Sequence, residues 1–367
     1  MTPTPAARPA PARPWSLAFL AVGGERTRTV DDGSWRYRIA HLAQALQARG
    51  HRVHLGHGLA PLPWRPDLVL LHRPADGFWL RQRLAAWRRA GVPVLADFDD
   101  LVFEPALAPE SPAVLNRRLP EAEMARRYRA HRAVLAQVDG FTVATQALAE
   151  ELHTVLAHDG LARPVACIPN AVPPAWCGLP ATPWPTDPAG PAIGYFSGTH
   201  SHDRDLAEAA PGLAQALRGQ PAWRLQLVGR GDFQVDLAPA RLRRLPRLPF
   251  DNGYTDALRQ VALALLPLQP TRFNRCKSAL KLIEAGWWNV PVLASPLPDA
   301  GRFAGPGLVT VERPQDWADA VQALMADPAR LAAASHGLRQ RVLAQADGER
   351  IAADWRRFVV SALGVGR

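Results

Sequence analysis

Of 43 Lys and Arg residues only two are lysines, Lys277 and Lys281, and Glu284 follows them at helical spacing. On a helix, steps of four and three return to nearly the same azimuth, so the three side chains share one face. An ammonium is a compact charge suited to a point contact with a phosphate oxygen. A helix starting at 277 would aim the N–H groups of Lys277 and Ser278, and the lysine charge, at one anion. Glu284 lies two turns deeper, roughly 10 Å along the axis, about the span from a diphosphate to a ribose. A carboxylate there accepts from ribose hydroxyls, as in dinucleotide-binding folds. The same spacing also fits a solvated helix face.

Two loops upstream strengthen the anion site. Ser197, Gly198 and Thr199 end a strand and run through His202 into a helix near 203–218, with Arg204 in its first turn. Small residues before a helix start form a phosphate cradle, and His202 or Arg204 can add charge. The alternative is a glycine turn with an aspartate cap. Gly229 and Arg230 stand in a second glycine loop, too short to be specific alone.

These loops need strands to hold them. The first half opens on an apolar run at 15–22 that ends in Gly23 and Gly24, a pair that permits close backbone approach. A helix from Ser34 to Arg49 follows, stopped by Gly50. Strands at 51–56, 67–72, 92–97, 141–144 and 165–169 alternate with helices at 78–90, 121–137 and 145–157. A proline-rich linker covers 173–191, and the alternation restarts at 192 with strands at 192–197, 223–228, 262–266, 291–294 and 307–311. One further strand ends at Phe250, and helices are expected at 253–261, 277–287, 314–325, 328–345 and 347–363. Such alternation with short connections predicts doubly wound, mostly parallel sheets. Length allows two domains: a leader at 1–14, a first domain at 15–172, the linker, a second domain at 192–346, and a last helix at 347–363 that can cross back. Ligands of such sheets bind at the carboxyl ends of the strands, so the two halves face one cleft.

At the matching edge of the first half, Asp97, Asp99, Asp100 and Glu104 crowd one strand end, beside His72 and Arg73. Asp99 and Asp100 are candidates to position an acceptor hydroxyl or serve as a base, with Arg73 beside them. An Asp-rich turn and helix cap is the plainer account. No His or Asp cluster nearby completes a metal set, so no metal ligand is assigned.

Net charge of +10 points to an anionic partner. Arginines crowd 81–89 and 117–132 and could rest on an anionic membrane, although charged helix faces are commonly just solvated. Nucleic acid is disfavoured, because no recognition motif accompanies the charge. Cys167, Cys177 and Cys276 are scattered without metal-ligand spacing. Residues 1–14 lack the apolar stretch of a signal peptide, and no run approaches a membrane span, so a cytoplasmic protein is expected, peripheral on the membrane if at all.

The stretch Glu284-Ala285-Gly286-Trp287-Trp288-Asn289-Val290-Pro291-Val292-Leu293-Ala294-Ser295 resembles the E-A-x-x-x-G-x-P-V-V-A-S signature of family 4 glycosyltransferases. Ile168-Pro169-Asn170-Ala171-Val172 is similar to that family's I-P-N-G-V, and Leu227 to Gly231 and the segments 37–42 and 50–53 also fit. The resemblance spans roughly residues 15–363. It implies the GT-B fold, two Rossmann-like domains, and retaining transfer from a nucleotide-sugar to a glycan or lipid-linked acceptor, in surface polysaccharide synthesis. It also implies no cofactor and no essential metal. Lys277, Arg204 and Asp99 would be catalytic. The donor would be bound by these two basic residues with Ser197, Gly198, Thr199, His202, Gly229, Arg230, Cys276, Ser278, Lys281 and Glu284; Gly23, Gly24, Arg73, Asp99 and Asp100 would face the acceptor. In the family's Glu-x7-Glu pair the first acid touches the sugar and the second the ribose. Glu284 matches the second, the first falls on Cys276, and the family's glycine before Pro291 falls on Asn289 or Val290. These departures leave room for a non-catalytic GT-B-fold binding protein or a nucleotide-sugar epimerase.

Overall fold

A computed structural model describes residues 13–22, 32–58, 60–180, 190–198 and 203–366. Two six-stranded parallel sheets hold these residues. The first comprises β1 (Ser16–Ala21), β2 (Arg52–His57), β3 (Leu68–His72), β4 (Val94–Phe98), β5 (Gly140–Val143) and β6 (Val165–Cys167), in the order β2-β1-β3-β4-β5-β6. The second comprises β7 (Ala192–Ser197), β8 (Arg224–Gly229), β9 (Leu242–Leu245), β10 (Leu263–Leu266), β11 (Val292–Ala294) and β12 (Leu308–Thr310), in the order β12-β11-β10-β7-β8-β9. The chain winds outward in both directions from β1 and β3 in one sheet and from β7 and β10 in the other. Those pairs are the switch points where helices diverge to opposite faces and a crevice opens.

Why these residues form strands is visible in their burial. β3 and β4 are buried at every position, as strands covered on both faces must be. Each sheet separates two apolar clusters. In the first, Leu80, Leu84, Trp87, Met124 and Tyr128 pack one face, and Ile39, Leu42, Leu46 and Trp355 the other. The C-terminal helix Gly348–Leu363 inserts Ile351, Trp355 and Val359 into this first-half cluster, where Trp355 meets Phe19 edge-on at 5.6 Å.

Three expectations need correction. The region around Phe250 is no strand end: β9 stops at Leu245, and Phe250–Tyr254 forms a π-helical turn leading into the short helix Thr255–Arg259. The helix expected from Ser34 is capped two residues earlier, where the Asp32 side chain accepts from the Ser34 N–H, and it contains a π-turn at Arg36–Ala40. The helix expected at 277 begins at Leu280.

Asn289 stands with φ of +59° just before Pro291, in the left-handed region glycine favours and asparagine tolerates better than other side chains. A glycine at this position would take the same backbone without strain. Gly229 is obligatory: at φ of +117°, an added Cβ would fall 1.8 Å from the Ser197 carbonyl oxygen.

Candidate functional site

The lysine segment follows β10, at the switch point of the second sheet. Thr271 caps the short helix Arg272–Arg275, its hydroxyl accepting from the Asn274 N–H at 3.1 Å. That helix ends at Cys276, and the Lys277 N–H then donates to the Asn274 carbonyl at 3.0 Å. Asp299 accepts from the Ala279 N–H at 2.8 Å and closes the start of helix Leu280–Trp287. Lys277 and Ser278 thus precede the helix. The Lys277 amide is already used, so of that residue only the side chain remains to serve an anion.

That side chain reaches across to the first half. Lys277 Nζ lies 3.3 Å from Asp100 Oδ1 and 5.1 Å from the Phe273 ring centre. The Ser278 hydroxyl accepts from Asn170 Nδ2 at 2.9 Å, so the Ile168–Asn170 junction is tied to the same segment. Lys281 has its stem enclosed, with its ammonium 5.9 Å from the centre of the Tyr195 ring. Burial pushes its pKa down to about 8, assisted by the Lys277 charge and opposed by Glu284 and Asp205.

Glu284 is buried between the halves. Its Oε1 accepts from the Tyr37 hydroxyl and its Oε2 from the Tyr254 hydroxyl, each at 2.6 Å. Burial raises its pKa, while the two hydroxyls and Lys281 work the other way. Each tyrosine sits on one of the two π-turns, whose wider winding re-aims side chains. Phe250 stacks on Tyr254 and on Trp176, with the Arg36 guanidinium 4.1 Å above its ring. The two tyrosines and this aromatic floor were not singled out from sequence.

At the facing edge of the first sheet, Arg73 pairs with Asp99 and with Asp100, the latter at 2.5 Å. Its φ of +44° is strained for a side chain, the kind of outlier that collects at functional sites. The Ser34 hydroxyl lies 2.8 Å from His72 Nε2 and also donates to Asp99 Oδ2. Beneath this layer, Arg38 grips Asp97 bidentately at 3.0 and 2.7 Å, and Thr142 adds a hydroxyl at 2.6 Å. Burial opposes ionisation of Asp97 and Asp99, yet Arg38 and His72 hold Asp97 well below the usual carboxylate range, and Arg73 holds Asp99 at about 2. So acidic a group is poorly matched to general-base work near neutrality. The geometry gives Asp99 the task of orienting Arg73 and Ser34.

The helix start after β7 is tied to the lysine segment, since Asp205 accepts from Asn274 Nδ2 at 3.1 Å and from the Gln269 N–H at 3.0 Å. Cys276 packs in the first-half core with Phe273, its thiol pushed up to about 12 by burial, and its carbonyl accepts from the Thr145 hydroxyl at 2.8 Å. A neutral thiol there presents no carboxylate where the resemblance puts the first acid. Ser197 is buried at the end of β7; Gly198 and Arg230 are exposed, and Gly229 brings β8 against Ser197. Arg204 is exposed in the first turn of helix Asp203–Arg218, its backbone N–H on Asn116 Oδ1 at 3.3 Å. Gly23, Gly24, Thr199 and His202 lie outside the described residues. Among the described residues, no three His, Cys, Asp or Glu side chains gather as a metal set, and no helix is long and apolar enough to cross a membrane. A cavity of about 20 Å³ beside Tyr37 and Arg38 has room for a water and none for a nucleotide.

Two facing doubly wound domains with the last helix returned to the first are the GT-B fold. Sucrose-phosphate synthase from Thermosynechococcus elongatus superposes with a TM-score of 0.64 at 17% identity, over 95% of this chain and 99% of that one. Anabaena HepE in complex with UDP-glucose superposes with a TM-score of 0.57 at 14% identity, over 95% and 100%. The pneumococcal O-GlcNAc transferase GtfA in complex with UDP and GlcNAc gives 0.52 at 14%, over 81% and 57%. No protein-family profile and no curated sequence matches the chain.

Proposed function

We propose that the protein is a retaining glycosyltransferase. It moves a hexosyl or deoxyhexosyl unit from a nucleotide-sugar, without an essential metal, to a glycan or lipid-linked acceptor of a surface polysaccharide. The observation that carries this is the pairing of Lys277, at the switch point of the second sheet, with Asp100 at the facing edge of the first. A cation held in a cleft, with a carboxylate one helix deeper, suits a diphosphate and its ribose. In the described state Tyr37 and Tyr254 occupy the Glu284 oxygens that ribose hydroxyls would use. Donor entry then requires the halves to part and Tyr37 to leave. Lys277 exchanges Asp100 for the diphosphate and stabilises the charge that develops as the sugar departs. UDP-glucose and UDP on similar folds make uridine nucleotides the first donors to try.

A thermal-shift screen against UDP, GDP, dTDP and their sugars should show stabilisation by one nucleotide family, lost in Glu284→Ala. Absence of any shift from folded protein would favour the second reading, a non-catalytic GT-B-fold binding protein. The core position of Cys276 and the occupied Glu284 oxygens are what speak for that alternative. Nucleotide affinity should also weaken as pH rises through about 8, where Lys281 loses its charge. Lys281→Arg should carry that weakening to higher pH; an identical titration profile would separate Lys281 from the anion.

A further inference from the structure

Phe78 and Trp79 are 64% and 66% exposed, and they lie edge-to-face with ring centres 5.1 Å apart. Among the described residues, the other exposed large hydrophobics, Leu55, Leu179 and Leu343, have no such neighbour in sequence. The pair forms the first turn of helix Phe78–Arg89, whose inner face is already satisfied by Leu80, Leu84 and Trp87. A first turn favours acids or polar caps. Here Gly77 offers no side-chain cap, and two aromatic rings are held in water instead. Nothing in the helix's own packing accounts for them.

Their setting selects the partner. The helix carries four arginines and no acid, and the neighbouring helix Glu121–Val134 carries four arginines and two glutamates. The two helices lie side by side: Asp76 N–H donates to the Ala130 carbonyl at 2.8 Å, and Arg88 to the Gln137 carbonyl at 3.2 Å. Asp76 and Glu123 pair with Arg81 and Arg127, while Arg89, at the far end of the first helix, and Arg129 are exposed. Exposed aromatic side chains on a helix that carries four arginines and no acid suit the headgroup boundary of an anionic bilayer, with the rings among acyl chains and the charges on phosphates. In a parallel sheet each helix starts at the carboxyl edge of the strand before it. Phe78 and Trp79 therefore stand at the edge that also carries His72, Arg73 and Asp99.

We infer that Phe78 and Trp79 are a membrane-inserting wedge that seats the first domain on an anionic bilayer at the margin of its acceptor edge, beside the cleft. The seating stands on its own; the delivery of a lipid-linked acceptor rests on the glycosyltransferase reading. Wild-type protein should float with vesicles of equal parts phosphatidylcholine and phosphatidylglycerol, and at least tenfold less with phosphatidylcholine alone. Phe78→Ser/Trp79→Ser should lose at least tenfold of the anionic-vesicle binding with an unchanged melting temperature. Brominated phosphatidylglycerol should quench tryptophan emission in the wild type more than in Trp79→Phe. Flotation of the double variant equal to wild type, equal binding to both vesicles, or no flotation at all would overturn the wedge. So would self-association lost in the double variant without flotation, which assigns the pair to a protein contact. Nucleotide-induced thermal shifts are read separately, so failure of the wedge and failure of the donor site are distinguishable.

Discussion

Asp97→Ala should destabilise the first domain by about 3–5 kcal/mol, the usual cost of removing one partner of a buried ion pair. Arg38 and Asp97 are 2% and 3% exposed, so removing the carboxylate leaves a buried guanidinium without its ion-pair partner. Arg38 also donates to the Ile168 carbonyl and to Asn170 Oδ1, so its misplacement would loosen the domain junction as well. Replacing both members with apolar residues of matching volume should recover much of the loss, because no buried charge is then left unpaired. The sign of the pH dependence follows from the depressed Asp97 carboxyl. Its contribution is present above the ordinary aspartate pKa and is lost as pH falls through the folded value. Urea unfolding of wild type and Asp97→Ala should therefore converge as the solution is acidified. A difference below about 1 kcal/mol at neutral pH, within the range of an exposed pair, would show that Arg38 finds another partner.

How far the sequence could be read depended on whether the cause was local. β3 and β4 are legible because strands buried on both faces must be unbroken apolar runs. The lysine segment and Glu284 are legible as residue types in a motif, but the start of their helix is not. Asp299, twenty positions on, takes the Ala279 N–H and places the helix start after Lys277. The two π-turns escape a 3.6-residue period, since one wide turn leaves the flanking pattern intact. Tyr37 and Glu284 are 247 positions apart, and only the docking of two separate sheets brings them together. Asp97, Asp99 and Asp100 show the same limit. As a run of acids they suggest a base, yet Arg38 and Arg73 turn them into fixed anions.

Lys277→Ala should lower turnover by about 10²- to 10³-fold, the range for removing one group that stabilises developing transition-state charge. The lysine is 18% exposed in its side chain and Asp100 keeps Arg73 as a partner, so the same change should leave the melting temperature almost unmoved. Separation of those two readouts distinguishes a role toward the diphosphate from a merely structural bridge. Asp100→Asn provides the converse. It frees Lys277 from its resident anion, so donor affinity should hold or rise while the contact between domains weakens. Lys277→Arg should rescue only in part, because a longer, planar guanidinium can fork to Asp100 and lie on the Phe273 ring but does not present the compact point charge of an ammonium to the diphosphate. Turnover unchanged in Lys277→Ala, with the fold intact, would move the departing charge to Lys281 or Arg204. Of these, Lys281 shares the enclosure with Glu284, whereas Arg204 is exposed at the start of its own helix. The pH profile then tests Lys281, whose pKa lies near 8.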